Sequence, residues 1–195
     1  MTEVRRLLDE GYEHANSSDE SRALALFERA LELIEREPDS HLKADVLIAV
    51  GVALQRRNDF ERALEFFERT LSVAQATAYA SAEAFGWYNV GLVCHRLGRH
   101  RRAIAALERA LDGGLDTGAE RLMLGALHLR LDDADAARPH LEAAVFRWPG
   151  SELAWRLRFQ SAPAGERPAL EPRAAQWLGP AAAAELADWV WGGAG

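Results

Sequence analysis

Gly-Trp-Tyr-Asn-Val-Gly-Leu-Val-Cys-His-Arg-Leu-Gly-Arg-His-Arg-Arg-Ala-Ile-Ala-Ala-Leu-Glu-Arg-Ala-Leu, residues 86–111, is the stretch that decides the fold. Trp87, Val90, Gly91 and Cys94 stand at i, i+3, i+4 and i+7, one stripe of a helix. Ala103, Leu107 and Ala110 form a matching stripe on a second helix, and the two runs meet at Gly98. Gly91 and Ala103 are small because the helix axes must approach closely there, toward the short end of the roughly 8–10 Å range.

The same layout occurs four times. The first copy carries Leu7, Gly11, Ala23, Phe27 and Ala30; the second carries Leu47, Val50, Gly51, Ala63, Phe67 and Thr70. The fourth has Leu124, Gly125, Ala137, Leu141, Ala144 and Pro149, and a partial fifth starts at Ser151 with Trp155. This pattern resembles the tetratricopeptide repeat, a helix–turn–helix unit of about 34 residues. The departures are Glu10 in a leucine slot, Arg121 in an aromatic one, and His14, Leu54, Cys94 and His128 in the tyrosine slot.

Spacing varies along the array. Gly11 to Gly51 and Gly51 to Gly91 are both 40 residues, whereas Gly91 to Gly125 is 34. The six extra residues fall after the second helix of repeats one and two, and are expected to lengthen it by almost two turns at about 1.5 Å per residue. The 40-residue spacing is similar to that of kinesin light chains and the Leu-Gly-Asn-repeat adaptors. That resemblance implies an extended peptide held along a concave groove.

Composition bounds the function. The chain has 195 residues and a net charge of −7, which disfavours nucleic acid and anionic membranes as partners. Cys94 is the sole cysteine, so an intramolecular disulfide is excluded. There is no signal-like apolar start and no run of 18 apolar residues, and a cytoplasmic protein is expected. Lys43 is the only lysine among many arginines; with the alanine richness this suggests a GC-rich bacterial source.

The expected helices are 2–16, 20–36, 40–57, 60–78, 80–97, 100–112, 118–131, 134–147 and 151–161. Asn58 with Glu61 reads as a capping box, and Gly98 suits a left-handed cap. Pro38, Gly113-Gly114 and Pro149-Gly150 separate repeats, but no such breaker lies between Ser72 and Glu83. Pro139 reads as a tolerated first-turn proline, the alternatives being a late helix start or a kink. Residues 1–161 form the repeat array, and 162–195 an irregular Pro-rich linker followed by a helix from Pro180 to Trp191. Trp177, Trp189 and Trp191 place half of the six tryptophans in the last 19 residues. The tail is expected to cap the array's last apolar face, the alternative being a contact with another subunit.

No phosphate loop, Cys-x-x-Cys, His-Glu-x-x-His or nucleophile elbow is present, and no metal or cofactor is expected. His14 and His128 read as spacers between helices. Arg99, His100, Arg101 and Arg102 crowd a helix start that favours acids, and are expected to pair with nearby carboxylates.

The family resemblance implies that first helices line the groove. Mapped onto this chain, the lining includes Leu8, Tyr12, Ile48, Ala49, Val52, Gln55, Arg56, Phe85, Tyr88, Asn89, Leu92, Arg96 and Arg130. Tyr12, Phe85, Tyr88 and Leu92 would bury apolar ligand side chains, while Gln55 and Asn89 hydrogen-bond its backbone. Arg56, Arg96 and Arg130 recur at one repeat position. Leu8, Tyr12, Ala49, Phe85 and Asn89 replace the carboxylate clamp of chaperone-tail binders, which argues against that ligand.

The expectation is an all-α, right-handed solenoid of tetratricopeptide repeats with a C-terminal capping helix. Its function is a non-enzymatic adaptor or scaffold for a peptide or protein segment. The alternatives are a regulatory peptide sensor and a self-associating structural subunit, with homo-oligomers formed through the C-terminal tryptophans.

Overall fold

A computed structural model describes residues 2–191, which form eleven α-helices and no strand among the described residues. They are α1 (Thr2–Asn16), α2 (Glu20–Ile34), α3 (His41–Arg56), α4 (Phe60–Ala76), α5 (Ala80–Arg96), α6 (His100–Asp112), α7 (Ala119–Arg130), α8 (Ala134–Arg147), α9 (Glu152–Gln160), α10 (Arg167–Leu178) and α11 (Pro180–Trp191). The chain divides into two compact units, residues 1–115 and 116–195.

In the first unit, α1 packs on α2, α3 on α4 and α5 on α6, and each hairpin packs on the next. One contact repeats in every hairpin. A Cβ on Gly51 would meet the Phe67 ring at 2.7 Å, and one on Gly91 would meet Leu107 Cγ at 2.7 Å. Gly11 faces Phe27 in the same way, and in the second unit Gly125 faces Leu141. Each large residue follows its glycine by sixteen positions. The missing side chain is therefore filled by the partner helix's ring or isobutyl group.

Turns inside hairpins share one geometry. Ser18, Asn58, Gly98 and Asp132 take positive φ of 64°, 63°, 73° and 59°. The next amide bonds back five residues, as Asp59 N–H does to Leu54 O at 3.0 Å and Arg99 N–H to Cys94 O at 2.8 Å. This is the Schellman closure, which satisfies carbonyls that the helix end would leave unpaired. Asn58 thus closes the preceding helix instead of capping the next, and the expected box with Glu61 does not form. The N-cap of α4 is Asp59, without a side-chain cap bond. A box-like pairing occurs instead before α7, where Thr117 N–H donates to Glu120 Oε2 at 2.9 Å.

The junction without a sequence breaker falls at Thr77–Tyr79, where Ala78 takes φ 52° and Tyr79 N–H bonds to Ala74 O at 2.8 Å. The extra residues of the long repeats are distributed differently from expectation. α2 and α4 have 15 and 17 residues against 13 in α6. Much of the added length goes to the next first helices: α3 and α5 have 16 and 17 residues against 12 in α7.

Exposed ion pairs link successive second helices of the first unit. Arg69 pairs with Glu35 at 2.7 Å and Arg62 with Glu28 at 3.5 Å. Arg99 pairs with Glu61 at 2.8 Å, and Arg102 with Glu68. Two of the four basic residues at the start of α6, Arg99 and Arg102, therefore have the carboxylate partners expected of them. Each such pair contributes about 0–1 kcal/mol at the surface.

In the second unit, α8 runs unbroken over Pro139, which lies inside the helix and not in its first turn. The stretch read as an irregular linker contains α10. Pro168 sits in its first turn, where the amide has no partner to lose, and Pro172 lies inside it. Burial of Leu170 and Ala174 outweighs the one missing bond at Pro172. α10 and α11 form a hairpin that packs on α9. Trp155, Phe159, Leu170, Ala174, Ala183, Leu186 and Ala187 share one apolar core. The tail thus covers α9. The side chains of Trp189 and Trp191 lie outside the described residues.

Candidate functional site

The first helices of unit one, α1, α3 and α5, carry three adjoining hollows. The central one, about 250 Å³, lies among Tyr12, Ala15, Phe27, Ile48, Val52 and Phe85, with Asn16, Glu20 and Arg56 at its polar edge. Toward the N-terminal ends of α1 and α3 lies a second, about 310 Å³, with Arg5, Leu8, Asp9, Leu42 and Asp45, sharing Tyr12 and Ile48. Toward α5 lies a third, about 330 Å³, with Gln55, Asn58, Phe60, Asn89 and Arg96, sharing Val52, Arg56 and Phe85. The shared residues make the three a continuous trough.

Its aromatic walls stay in contact with water. Tyr12 is 45% exposed and Phe85 36% exposed, although both are large and apolar. The Tyr12 ring is tilted on Phe27 at 5.2 Å between centroids. Phe27 and Glu20 come from α2, so a mapping restricted to first helices omits them. Phe27 was legible as the packing residue opposite Gly11. Nothing in its spacing shows that its ring also floors the hollow.

Charge is distributed unevenly along the trough. At one end, burial raises the Asp45 carboxyl above the usual range, despite a hydrogen bond from Tyr79 and the nearby His41. Burial, with the charges of Asp45 and Asp9, also raises the Tyr12 phenol. Tyr79 stacks on His41 at 4.1 Å. At the other end, Arg56 Nη1 donates to Ala15 O at 3.1 Å, and the Arg96 guanidinium lies 5.0 Å from the Phe60 ring centroid. Neither arginine has an ion-pair partner among the described residues.

The remaining residues expected in the groove fall in varied places. Gln55 is half-buried and lines the third hollow. Asn89 is buried, and its Nδ2 donates to Phe85 O at 2.8 Å, so the side chain supports the α5 backbone beside the hollow. Tyr88 is half-buried with its ring 6.3 Å from Phe85, and neither it nor Leu92 lines the three hollows. Arg130 is exposed on α7, in the second unit.

In the tyrosine slot, Leu54 and Cys94 are buried, while His14 Nδ1 lies 3.7 Å from Asp19 and His128 Nδ1 lies 3.9 Å from Asp133. Among the described residues, no group of three or more His, Cys, Asp or Glu is placed to hold a metal ion. No described helix is long and apolar enough to cross a membrane.

Hairpins that pack a glycine against a bulky apolar residue and close in Schellman turns are matched by family-level similarity. The tetratricopeptide-repeat family matches residues 18–76 and again residues 86–112. The chain carries tetratricopeptide repeats over these residues. No curated protein matches it. Among solved structures, this tetratricopeptide-repeat chain is similar to the MamA protein at TM-score 0.70 and 18% identity, over 95% of this chain and 93% of that one. YrrB, described as a TPR protein with an unusual peptide-binding site, matches at TM-score 0.68 and 24% identity, over 85% and 82%. A Podosopora anserina putative kinesin light chain with nearly identical TPR-like repeats matches at TM-score 0.71 and 11% identity, over 96% of each chain. At these identities the likeness is one of fold, an all-α tetratricopeptide solenoid.

Proposed function

We propose that this tetratricopeptide-repeat protein is a non-enzymatic adaptor that holds a peptide or protein segment on the first-helix face of unit one. The observation that carries the reading is the continuous trough across α1, α3 and α5, with Tyr12 and Phe85 exposed inside it. Apolar hollows edged by a few polar groups are the usual form of a binding site. The neighbour YrrB, with its peptide-binding site, supports the same reading.

The test is affinity capture from the native host with mass spectrometry, using the wild type and a Tyr12→Ala/Phe85→Ala double variant. Partners held through the trough are lost from the variant, with a penalty of about 2 kcal/mol or more for such anchors. Equal recovery by both proteins would place binding elsewhere.

A second reading, self-association, draws on a different patch. In unit two Phe146 is 89% exposed and Trp177 60% exposed, beside a hollow of about 320 Å³ with Pro149 and Trp155. Sedimentation of the wild type and of Phe146→Ser/Trp177→Ser decides it: a dimer that the substitutions split supports self-association, and a monomeric wild type excludes it.

A further inference from the structure

The trough has a charge order, and that order names the chemistry of its ligand. Its central hollow is lined by aromatic and aliphatic side chains and is large enough for a bulky apolar side chain. The α5 end presents Arg56 and Arg96 with no carboxylate among its lining residues. The opposite end presents Asp9 and Asp45 against the single Arg5. Resting on the trough as the binding site, we infer that the ligand is an internal peptide segment with one large apolar residue seated between Tyr12 and Phe85. It carries an acidic side chain on the Arg56–Arg96 side and a basic one on the Asp9–Asp45 side.

Contrast with the outer face supports this assignment. Arg62, Arg69 and Arg102 on the second helices, and Arg99 at the N-cap of α6, each pair with a glutamate of the preceding hairpin. Arg56 and Arg96 are exposed and are held only by a backbone carbonyl and a ring face. A guanidinium lying over an aromatic ring keeps its N–H edge free for a carboxylate, the geometry of bidentate recognition. At the other end, Asp45 already accepts the Tyr79 hydroxyl, which orients it, and Asp9 is exposed one turn before Tyr12. The one carboxylate lining the central hollow, Glu20, lines neither end, so the two ends set the polarity. Complementary charge at a rim fixes register and rejects wrong partners more than it adds affinity.

The experiment selects a random 12-residue peptide library, displayed with both ends joined to the carrier, against the full chain. The expected consensus is one large apolar residue with Asp or Glu on one side and Lys or Arg on the other. The best mixed-charge peptide should bind Arg56→Glu/Arg96→Glu about tenfold more weakly, and regain affinity when its acid is changed to lysine. Asp9→Lys should shift the preference at the basic position in the same manner. A consensus without charge order, or swaps that leave affinity unchanged, overturns this inference while leaving the trough as the site. Failure to enrich any peptide, or enrichment that survives Phe85→Ala, overturns both.

Discussion

Gly51 and Phe67 face each other across the α3–α4 hairpin so closely that a Cβ on the glycine would lie 2.7 Å from the ring. The ring is fully buried, so it cannot swing out to solvent. Gly51→Ala is therefore expected to destabilise unit one by about 1–3 kcal/mol through overpacking, although alanine is the better helix former. A thermal melt checks it. A pairing of Gly51→Ala with Phe67→Leu should recover part of the loss, because the smaller side chain releases the clash.

Ala78 offers the opposite sign. It sits at φ 52°, a left-handed conformation that costs a residue with a Cβ roughly 1–2 kcal/mol. Ala78→Gly removes that cost but adds entropy to the unfolded chain. The net expectation is a gain of about 0.5–1 kcal/mol, read as a higher melting temperature. Gly98→Ala, at φ 73°, should show the reverse.

The ion-pair cluster of unit two makes a pH prediction. Arg158 is buried and bonds Glu142 at 2.8 Å and Glu166 at 2.6 Å, while Arg173 also bonds Glu142. Burial alone raises the Glu142 carboxyl, but the two arginines outweigh it and hold the value below the ordinary one. A depressed folded value means that the stabilisation is present above the unfolded value of about 4.3. It is lost as pH falls through that value toward the folded one. Glu142→Gln should cost about 1–2 kcal/mol at pH 7, discounted for partial exposure. The gap from the wild type should close as melts are repeated down to about pH 3.

Removal of the tail tests its covering role. Truncation after residue 161 takes away Leu170, Ala174, Ala183, Leu186 and Ala187, which bury Trp155 and Phe159. The expected result is a loss of about 3–5 kcal/mol and concentration-dependent aggregation, measured by thermal melts and light scattering. A truncated chain as stable and soluble as the parent would exclude a covering role.

The repeat architecture was legible because its signals are steric and local. A glycine sixteen residues before a bulky apolar residue can be read directly, and helix starts and stops followed to within a few residues. Asn58 was misread because a polar residue between two helices can serve either, and only its φ tells which. α10 was missed because Pro168 and Pro172 speak locally against a helix, while burial of Leu170 and Ala174 depends on a distant α9. At the candidate site, Tyr12, Arg56, Phe85 and Arg96 could be placed from repeat register. Phe27, Glu20 and Phe60 could not, because their contribution depends on how one hairpin leans against the next.

The longer first helices α3 and α5 reach back beyond the corresponding start of α7 by about one turn. That added turn is what brings Leu42 to the edge of the first-helix face, beside Asp45. A turn advances the helix about 5.4 Å, roughly the length that one and a half residues of an extended strand cover. Under the proposed function, the segment between hairpins works as a ruler for ligand footprint. Adding or deleting residues there changes how much of a bound chain is measured and which charge stands at its margin. The contacts of Gly11, Gly51, Gly91 and Gly125 with the bulky residues opposite remain as they were, so recognition and folding can be altered separately.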